Sequence, residues 1–272
     1  MTPAAVPSAS PTASGAAPEA RARVFAVTSG KGGVGKSVFT ANLAAALAGR
    51  GERVLVLDAD LGLANLDVLL SLAPKVTLHE VLTGRATLDE ALVHAPGGFT
   101  VLLAGSGLVE YSRLTPELRD QLLGVIEAVR PRFDRVLLDT GAGISEVVLY
   151  TVALADEVIV VATPEPTSLT DAYATIKVLA AQQQRTHIRL VVNQSRHAGE
   201  GRAIRAQLQQ VADRYIATAS GAPLRLEWLG DVPADPAMRE AVQQRRLLLD
   251  SYPGASAAQA ITAIAARLAE SG

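Results

Sequence analysis

The stretch Gly30-Lys-Gly-Gly-Val-Gly-Lys-Ser37 fits the phosphate-binding pattern G-x-x-x-x-G-K-[ST], and it carries a second lysine, Lys31, inside the loop. Residues 24–28 before it form a short apolar run that is typical of a buried strand. After it, residues 37–50 carry apolar side chains at helical spacing. This strand–loop–helix context is the one that the motif requires, so the sequence predicts a phosphate-binding loop.

Each part of the loop has its own predicted role. The glycines let successive backbone N–H groups converge on phosphate oxygens, and the helix N-terminus adds a positive dipole end. Lys36 is expected to reach the β- and γ-phosphates, and the Ser37 hydroxyl to hold Mg²⁺. A glycine turn without a ligand and a solvated Lys31 are the plainer alternatives. The predicted nucleotide contacts in the loop are Gly30, Lys31, Gly32, Gly33, Val34, Gly35, Lys36, Ser37 and Val38.

Two further apolar runs each end in carboxylates. One ends in Asp58-Ala-Asp60 and the other in Asp139. Acids at the carboxyl ends of strands beside a phosphate loop suit Mg²⁺ and water placement. We therefore predict that Asp58 and Asp139 join Ser37 as Mg²⁺ ligands, partly through water. Solvent-exposed strand ends are the alternative.

A fourth run ends in Asn193, whose amide can donate and accept hydrogen bonds and so suits an adenine edge. A local turn formed by the same side chain is almost equally compatible with the residue type. The position after a predicted strand favours a place at the ligand-binding edge.

Composition favours one α/β domain. The 272 residues are 49% hydrophobic and only 4% aromatic, and further strand and helix candidates alternate along the chain. Continuous apolar strands suit a mostly parallel, doubly wound sheet with helices on both faces. The strand candidates are 53–58, 99–104, 135–139, 157–162, 189–193 and 225–229, and the main helix candidates are 115–129, 167–184 and 201–220.

Several classes of protein and site are disfavoured. The chain contains no cysteine, which excludes disulfides and thiolate-held metal clusters within it. A net charge of −2 argues against bulk nucleic-acid binding. Residues 1–22 are rich in Ala, Pro and Ser and predict a disordered tail, leaving 23–272 as the folded P-loop domain. No signal peptide or bilayer-length apolar run is visible, so a cytoplasmic protein is expected.

The box from Lys31 to Ser37 matches K-G-G-x-x-K-[ST], and the chain therefore resembles the MinD/ParA family of P-loop ATPases with a deviant Walker A motif. The resemblance implies ATP/ADP and Mg²⁺ as cofactors and an ATP-dependent homodimer. Lys31 would cross to the nucleotide of the second subunit, Lys36 would serve catalysis, and Asp60 would position the hydrolytic water. It also implies a base site at Asn193 and the segment 230–236, to which we assign Val232 and Pro233.

Within that family the chain is most similar to flagellar number regulators of the FlhG/FleN type, through the segments 58–67, 77–84, 139–145 and 229–236. This implies partners among flagellar switch or C-ring proteins and flagellar transcription regulators, with polar or membrane recruitment through such partners. The partner GTPase FlhF is in doubt, because the residues before 23 lack a D-Q-A-x-x-L-R-like segment.

Alternative roles stay open within the same family. A division-site MinD is one, and a ParA-type partition protein is another, with Arg202, Arg205 and Arg214 tracking DNA phosphates. DNA binding is not favoured, because the net charge is acidic. A P-loop enzyme of small-molecule metabolism ranks last. Residues 257–268 carry one basic side chain, Arg267, so direct membrane binding is expected to be weak.

Overall fold

The computed structural model describes residues 21–62, 64–105, 114–216 and 221–270. Most of the predicted tail, residues 1–20, lies outside the described residues. Ala22, at the end of that predicted tail, is buried, and its N–H donates to the Arg130 carbonyl at 2.8 Å. The packed part of the chain therefore includes Ala22.

The described residues form one eight-stranded sheet in the order β3-β4-β2-β5-β1-β6-β7-β8. Every neighbouring pair is parallel except β3 and β4, which are antiparallel. This confirms the predicted doubly wound, mostly parallel sheet. The strands are β1 (Arg23–Ser29), β2 (Val54–Ala59), β3 (Leu92–His94), β4 (Thr100–Leu102), β5 (Arg135–Ala142), β6 (Glu157–Ala162), β7 (His187–Ser195) and β8 (Arg225–Pro233).

Helices cover both faces of the sheet and form two separate apolar cores with it. One core holds α3, α5, α6, α7 and α8, and the other holds α1, α2, α10 and α11. The helices are α1 (Lys36–Ala48), α2 (Leu66–Leu70), α3 (Leu78–Leu82), α4 (Leu88–Ala91), α5 (Pro116–Val129), α6 (Glu146–Ala153), α7 (Pro166–Gln183), α8 (Glu200–Tyr215), α9 (Pro236–Gln243), α10 (Leu248–Ser251) and α11 (Ser256–Glu270).

Some helices and strands end several residues away from their predicted ends. The start of α5 is confirmed, since the Thr115 hydroxyl accepts from the Leu118 N–H at 3.2 Å. The predicted helix 201–220 ends at Tyr215, and residues 217–220 lie outside the described residues. The predicted strand 225–229 extends to Pro233, because pairing with β7 resumes after an irregularity. The three-residue β3 and the short helices were not predicted, because so few residues cannot show the apolar periodicity of a strand or a helix.

The last helix, α11, is packed into the core. Ile261, Ile264 and Leu268 are fully buried, as the sequence predicts for a core-packed helix. Across the described ranges, no helix has both the length and the apolar character needed to span a bilayer.

Parallel pairing brings the predicted site residues to one edge of the sheet. Asp58 of β2 is in register with Asp139 of β5, and Asp139 is also in register with Val27 of β1. On the other side, Asn193 of β7 is in register with Val232 of β8. The loop after β1 therefore lies between an acidic pair and an amide, at the edge where ligands bind in such sheets.

The opposite edge of the sheet carries a belt of ion pairs across neighbouring strands. The Phe25 ring lies 5.5–6.0 Å from three guanidinium groups, those of Arg23, Arg135 and Arg189. Arg189 is buried and pairs with glutamates on both adjacent strands. The pairs of the belt therefore link β1, β6, β7 and β8, and a separate pair joins β5 to Glu52, two residues before β2. The pairs are Glu52–Arg135, Arg23–Glu157, Arg189–Glu157 and Arg189–Glu227.

Arg189→Ala is expected to lower the free energy of unfolding by about 3 kcal/mol, because it removes a buried cation that Glu157 and Glu227, both only partly exposed, share. Urea denaturation measures the change. Arg225→Ala, which alters an exposed arginine on β8, is the matched control and should cost less than about 0.5 kcal/mol. Equal effects in the two variants would show that the belt contributes nothing specific.

Candidate functional site

The predicted phosphate loop connects β1 to α1 and lines a cavity of about 520 Å³. Gly33 and Gly35 have φ values of 80° and 84°, which side chains rarely adopt, and Gly35 is the N-cap of α1. The same cavity is lined by Asp60, Asn65 and Ser145, which come from the ends of other elements. The loop, the helix N-terminus and the acidic strand end therefore converge, as the sequence predicts.

Close packing explains the first glycine of the motif. A Cβ on Gly30 would overlap the backbone carbonyl of Asp171 in α7. At Gly32, by contrast, a Cβ would have no neighbour within 4 Å. Gly30 thus sets how closely the loop lies against α7, while Gly32 faces open space where a ligand can approach.

Lys36 lies against Asp139 in the buried part of the site. Its Nζ is 3.1 Å from Asp139 Oδ1, which also accepts from the Thr40 hydroxyl at 3.3 Å. Burial raises the pKa of Asp139, and the Lys36 ammonium and the Ser37 hydroxyl offset only part of that rise. Three of the predicted residues are therefore in one hydrogen-bonded group, with Lys36 directed toward a carboxylate.

Asp58 is the least satisfied group of the site. It is 1% exposed, its Oδ1 accepts from the Asp60 N–H at 3.2 Å, and its Oδ2 has no hydrogen-bond partner among the described residues. Burial, followed by the charge of Asp139, raises the pKa of Asp58 well above its usual value. A buried, unpartnered carboxylate oxygen beside a second carboxylate is poorly compensated in the ligand-free protein.

These residues fit a Mg²⁺ ion. Asp58, Asp139 and Ser37 supply carboxylate and hydroxyl oxygens, the hard donors that Mg²⁺ prefers. The unpartnered oxygen of Asp58 gives the cation a position where its charge is needed. The three metal ligands that the sequence suggests thus stay a prediction that the geometry supports.

Asp60 lines the cavity beside the end of β5. A Cβ on Gly141 would approach Asp60 Oδ1 to 3.4 Å, so this glycine leaves room for the carboxylate. The residue that follows β5 is tied to the end of β1, because the Gly143 N–H donates to the Ser29 carbonyl at 2.8 Å. Asp60 therefore lines the same cavity as the phosphate loop, and its water-positioning role stays a prediction.

Lys31 is held at the start of α7. Its Nζ lies 2.9 Å from Glu165 Oε2 and 3.1 Å from the Thr167 hydroxyl, and its side chain is one-third exposed. Sequence reasoning missed Glu165 and Thr167, because 134 and 136 residues separate them from Lys31. Lys31 is thus paired with side chains of its own chain.

A second cavity of about 890 Å³ adjoins the phosphate cavity, and the two share Gly35 and Val38 in their linings. It is lined by the three residues that the sequence analysis assigned to a base site, Asn193, Val232 and Pro233. Residues of α9, which the sequence analysis did not single out, complete the wall: Met238, Arg239, Val242 and Gln243.

The Asn193 amide has two partners already. Its Nδ2 donates to the Val34 carbonyl at 2.7 Å, and its Oδ1 accepts from the Gln194 N–H at 3.0 Å. An amide can make further hydrogen bonds, so its base-reading role stays a prediction. The hydrogen bond to the Val34 carbonyl joins β7 to the phosphate loop.

Gly30→Ala is expected to destabilise the ligand-free protein by about 2 kcal/mol, because the added methyl overlaps the backbone of α7. The displaced loop should also bind nucleotide more weakly. Chemical denaturation and titration calorimetry measure the two effects. Gly32→Ala is the control and should change stability by less than about 1 kcal/mol; equal losses would contradict this account of Gly30.

Asp58→Asn is expected to stabilise the protein in EDTA by about 1 kcal/mol, because it removes a buried charge beside Asp139. The same change should weaken Mg²⁺-dependent nucleotide binding. Asp120→Asn, on the exposed face of α5, is the control for both measurements. A less stable Asp58→Asn protein in EDTA would mean that the carboxylate is well compensated without a cation.

Several known proteins are similar to this chain in sequence. The family profile described as "ParA: NUBPL iron-transfer P-loop NTPase" matches residues 21–269. The antiactivator FleN of Pseudomonas aeruginosa is 42% identical over 246 residues, 90% of this chain and 86% of that protein. The flagellum site-determining protein YlxH of Helicobacter pylori is 35% identical over 248 residues, 90% of this chain and 81% of that protein.

A solved structure shares the fold. The septum site-determining protein MinD of Pyrococcus horikoshii, complexed with Mg-ADP, superposes with a TM-score of 0.74 at 26% identity, covering 91% of this chain and 96% of that chain. The predicted fold and family are confirmed. This chain belongs to the ParA family of P-loop NTPases, with MinD-like architecture and with FleN and YlxH among its relatives.

Proposed function

We propose that this chain is an ATP-dependent, dimerising molecular switch with slow ATP hydrolysis that regulates flagellar number or placement. As a member of a P-loop NTPase family it is an ATPase whose cofactors are ATP and Mg²⁺, as the sequence predicts. The observation that carries the proposal is the site itself: a two-lysine phosphate loop, a buried acidic pair and Asp60 around one cavity. The flagellar relatives match nine-tenths of the chain and so include all of that site.

The site residues have separate tasks in hydrolysis. When bound, Mg²⁺ supplies positive charge to the phosphates and to the buried carboxylates. Lys36 leaves Asp139 and turns to the phosphates, while the loop N–H groups hold the phosphate oxygens in place. Asp60 orients the attacking water in the cavity that it lines. Such positioning and charge stabilisation account for most of catalysis in phosphoryl transfer.

Lys31 couples the nucleotide to the dimer. To reach the nucleotide of a second subunit it has to leave Glu165 and Thr167. The exposed Lys31–Glu165 pair is weak, because surface ion pairs contribute only about 0–1 kcal/mol. A polyphosphate in a dry interface offers the lysine a stronger partner, so ATP favours the dimer.

The names of the relatives favour particular partners. FleN is an antiactivator, which favours a flagellar transcription regulator as the partner, whereas the site-determining name of YlxH favours a flagellar switch or C-ring protein. Recruitment to a cell pole or membrane would then run through such partners.

A division or partition role is the second candidate, and the MinD-like architecture supports it. Of these two roles, DNA partition has less support than division. Arg202 stacks on Trp228 at 4.4 Å and Arg214 on Tyr215 at 5.4 Å, which gives these arginines partners other than DNA phosphates. The flagellar relatives also match more of the chain, since FleN and YlxH match 90% of it at 42% and 35% identity, whereas septum site-determining MinD proteins match 57–64% of it at 38–40% identity.

Gene deletion in the native host tests the biological role. Flagella per cell are counted by electron microscopy while minicells and DNA-free cells are scored in the same cultures. Extra or misplaced flagella support the proposal. Normal flagella with minicells or with lost DNA would instead assign the switch to division or partition.

Lys31→Ala is expected to bind ATP but to remain monomeric, because the loop backbone and Lys36 stay in place while the cross-subunit cation is lost. Sedimentation velocity with ATP and Mg²⁺ measures the state. Lys177→Ala, which removes an exposed lysine from α7, should dimerise normally. A normal ATP-dependent dimer of the Lys31→Ala protein would refute the cross-subunit role.

Asp60→Ala is expected to keep ATP binding and the ATP-bound dimer but to lose hydrolysis by about 100-fold or more, because the water loses its orienting carboxylate. Phosphate release under single-turnover conditions gives the rate. Asp213→Ala, on the exposed face of α8, serves as the control. Unchanged phosphate release from Asp60→Ala would assign water positioning to another residue.

A further inference from the structure

Asp235 joins two helix N-termini directly after the strand that borders the larger cavity. It follows Val232 and Pro233 of β8 by two to three residues, and it is itself part of the cavity lining. Its Oδ1 accepts from the Ala237 N–H at 2.9 Å, which caps α9. Its Oδ2 accepts from the Ser256 hydroxyl at 2.7 Å and from the Ala257 N–H at 3.1 Å, at the start of α11.

Both helices direct the positive end of their dipole toward this one carboxylate. The Ser256 hydroxyl, followed by the Ala257 N–H, holds the pKa of Asp235 below its usual value. The side chain therefore stays ionised at neutral pH, where it accepts from three donors.

The contacts connect the cavity wall to the rest of the nucleotide site. The helix α11 packs on α1, the helix that begins in the phosphate loop, and its Ile261 lines the same cavity as Val38. From the other side, the Ala234 N–H donates to the Ser195 carbonyl of β7 at 2.9 Å. The segment from Val232 to Asp235 is thus fixed at one end by β7 and at the other by α9 and α11.

We propose that Asp235 is a positioning residue for nucleotide binding, which holds Val232 and Pro233 in the place where they contact the nucleoside by capping α9 and α11 together. This rests on the proposed ATP-binding function. Asp235 acts on the nucleoside through the backbone of the preceding residues, and the phosphates are held separately by the loop after β1. Its loss should therefore weaken binding of a nucleoside triphosphate without affecting a bare triphosphate.

Titration calorimetry with Mg·ATP and with Mg·tripolyphosphate tests this division of roles. Asp235→Ala should weaken ATP binding by about tenfold, the size of a lost helix cap, and leave tripolyphosphate binding within about twofold of wild type. Asp250→Ala, an exposed acid on α10, is the control and should bind both ligands normally. Ser256→Ala removes one of the three donors and should weaken ATP binding by about two- to threefold.

The outcomes separate this inference from the proposed function. Unchanged ATP affinity in Asp235→Ala overturns the inference alone, and so does an equal loss for both ligands, which indicates a general loss of structure. Failure of the wild-type protein to bind ATP overturns the proposed function and this inference with it. If Asp235→Ala does not fold, Ser256→Ala decides: a loss confined to ATP supports the inference, and unchanged binding refutes it.

Discussion

The buried contact between Lys36 and Asp139 is the constraint on which the rest of the site depends. Parallel pairing places Asp58 beside Asp139 on adjacent strands, so two carboxylates occupy a region that excludes water. One ammonium group is close to them, and an oxygen of Asp58 has no hydrogen-bond partner in the described part of the chain. Buried charge of one sign is costly unless it is compensated. The ligand-free site is therefore arranged to accept a cation and, with it, the phosphates that draw Lys36 away.

Contacts around the phosphate loop link this acidic pair to the other parts of the site. Gly30 fits against α7, where Glu165 and Thr167 hold Lys31, and the Asn193 amide braces Val34 from β7. A nucleotide that moves the loop therefore also displaces the residues that contact it at α7 and at Asn193 in the wall of the larger cavity. In this arrangement a change at the phosphates can alter a surface that a second subunit or another partner recognises.

The chemistry and the sheet were predictable from the sequence, because they depend on short, local patterns. The phosphate loop, the acidic residues of β2 and β5 and the apolar run before Asn193 are each recognisable within a few residues, and parallel strands bring them to one edge of the sheet. Contacts between distant segments were not predictable. Lys31 with Glu165, and Asp235 with Ser256, depend on how loops close after the helices pack. The three-residue strand β3 and the helix α9, which lines the larger cavity, were not predicted either. Such short elements show no periodic pattern of apolar side chains.

The most direct test of the account is the sedimentation of the purified wild-type protein with Mg·ATP and with Mg·ADP, with bound nucleotide quantified in each species. With ATP we expect a dimer with one ATP per chain, which returns to monomer as phosphate is released, and with ADP we expect a monomer. A monomer with both nucleotides, or a dimer that persists regardless of nucleotide, would contradict the claim that ATP controls assembly.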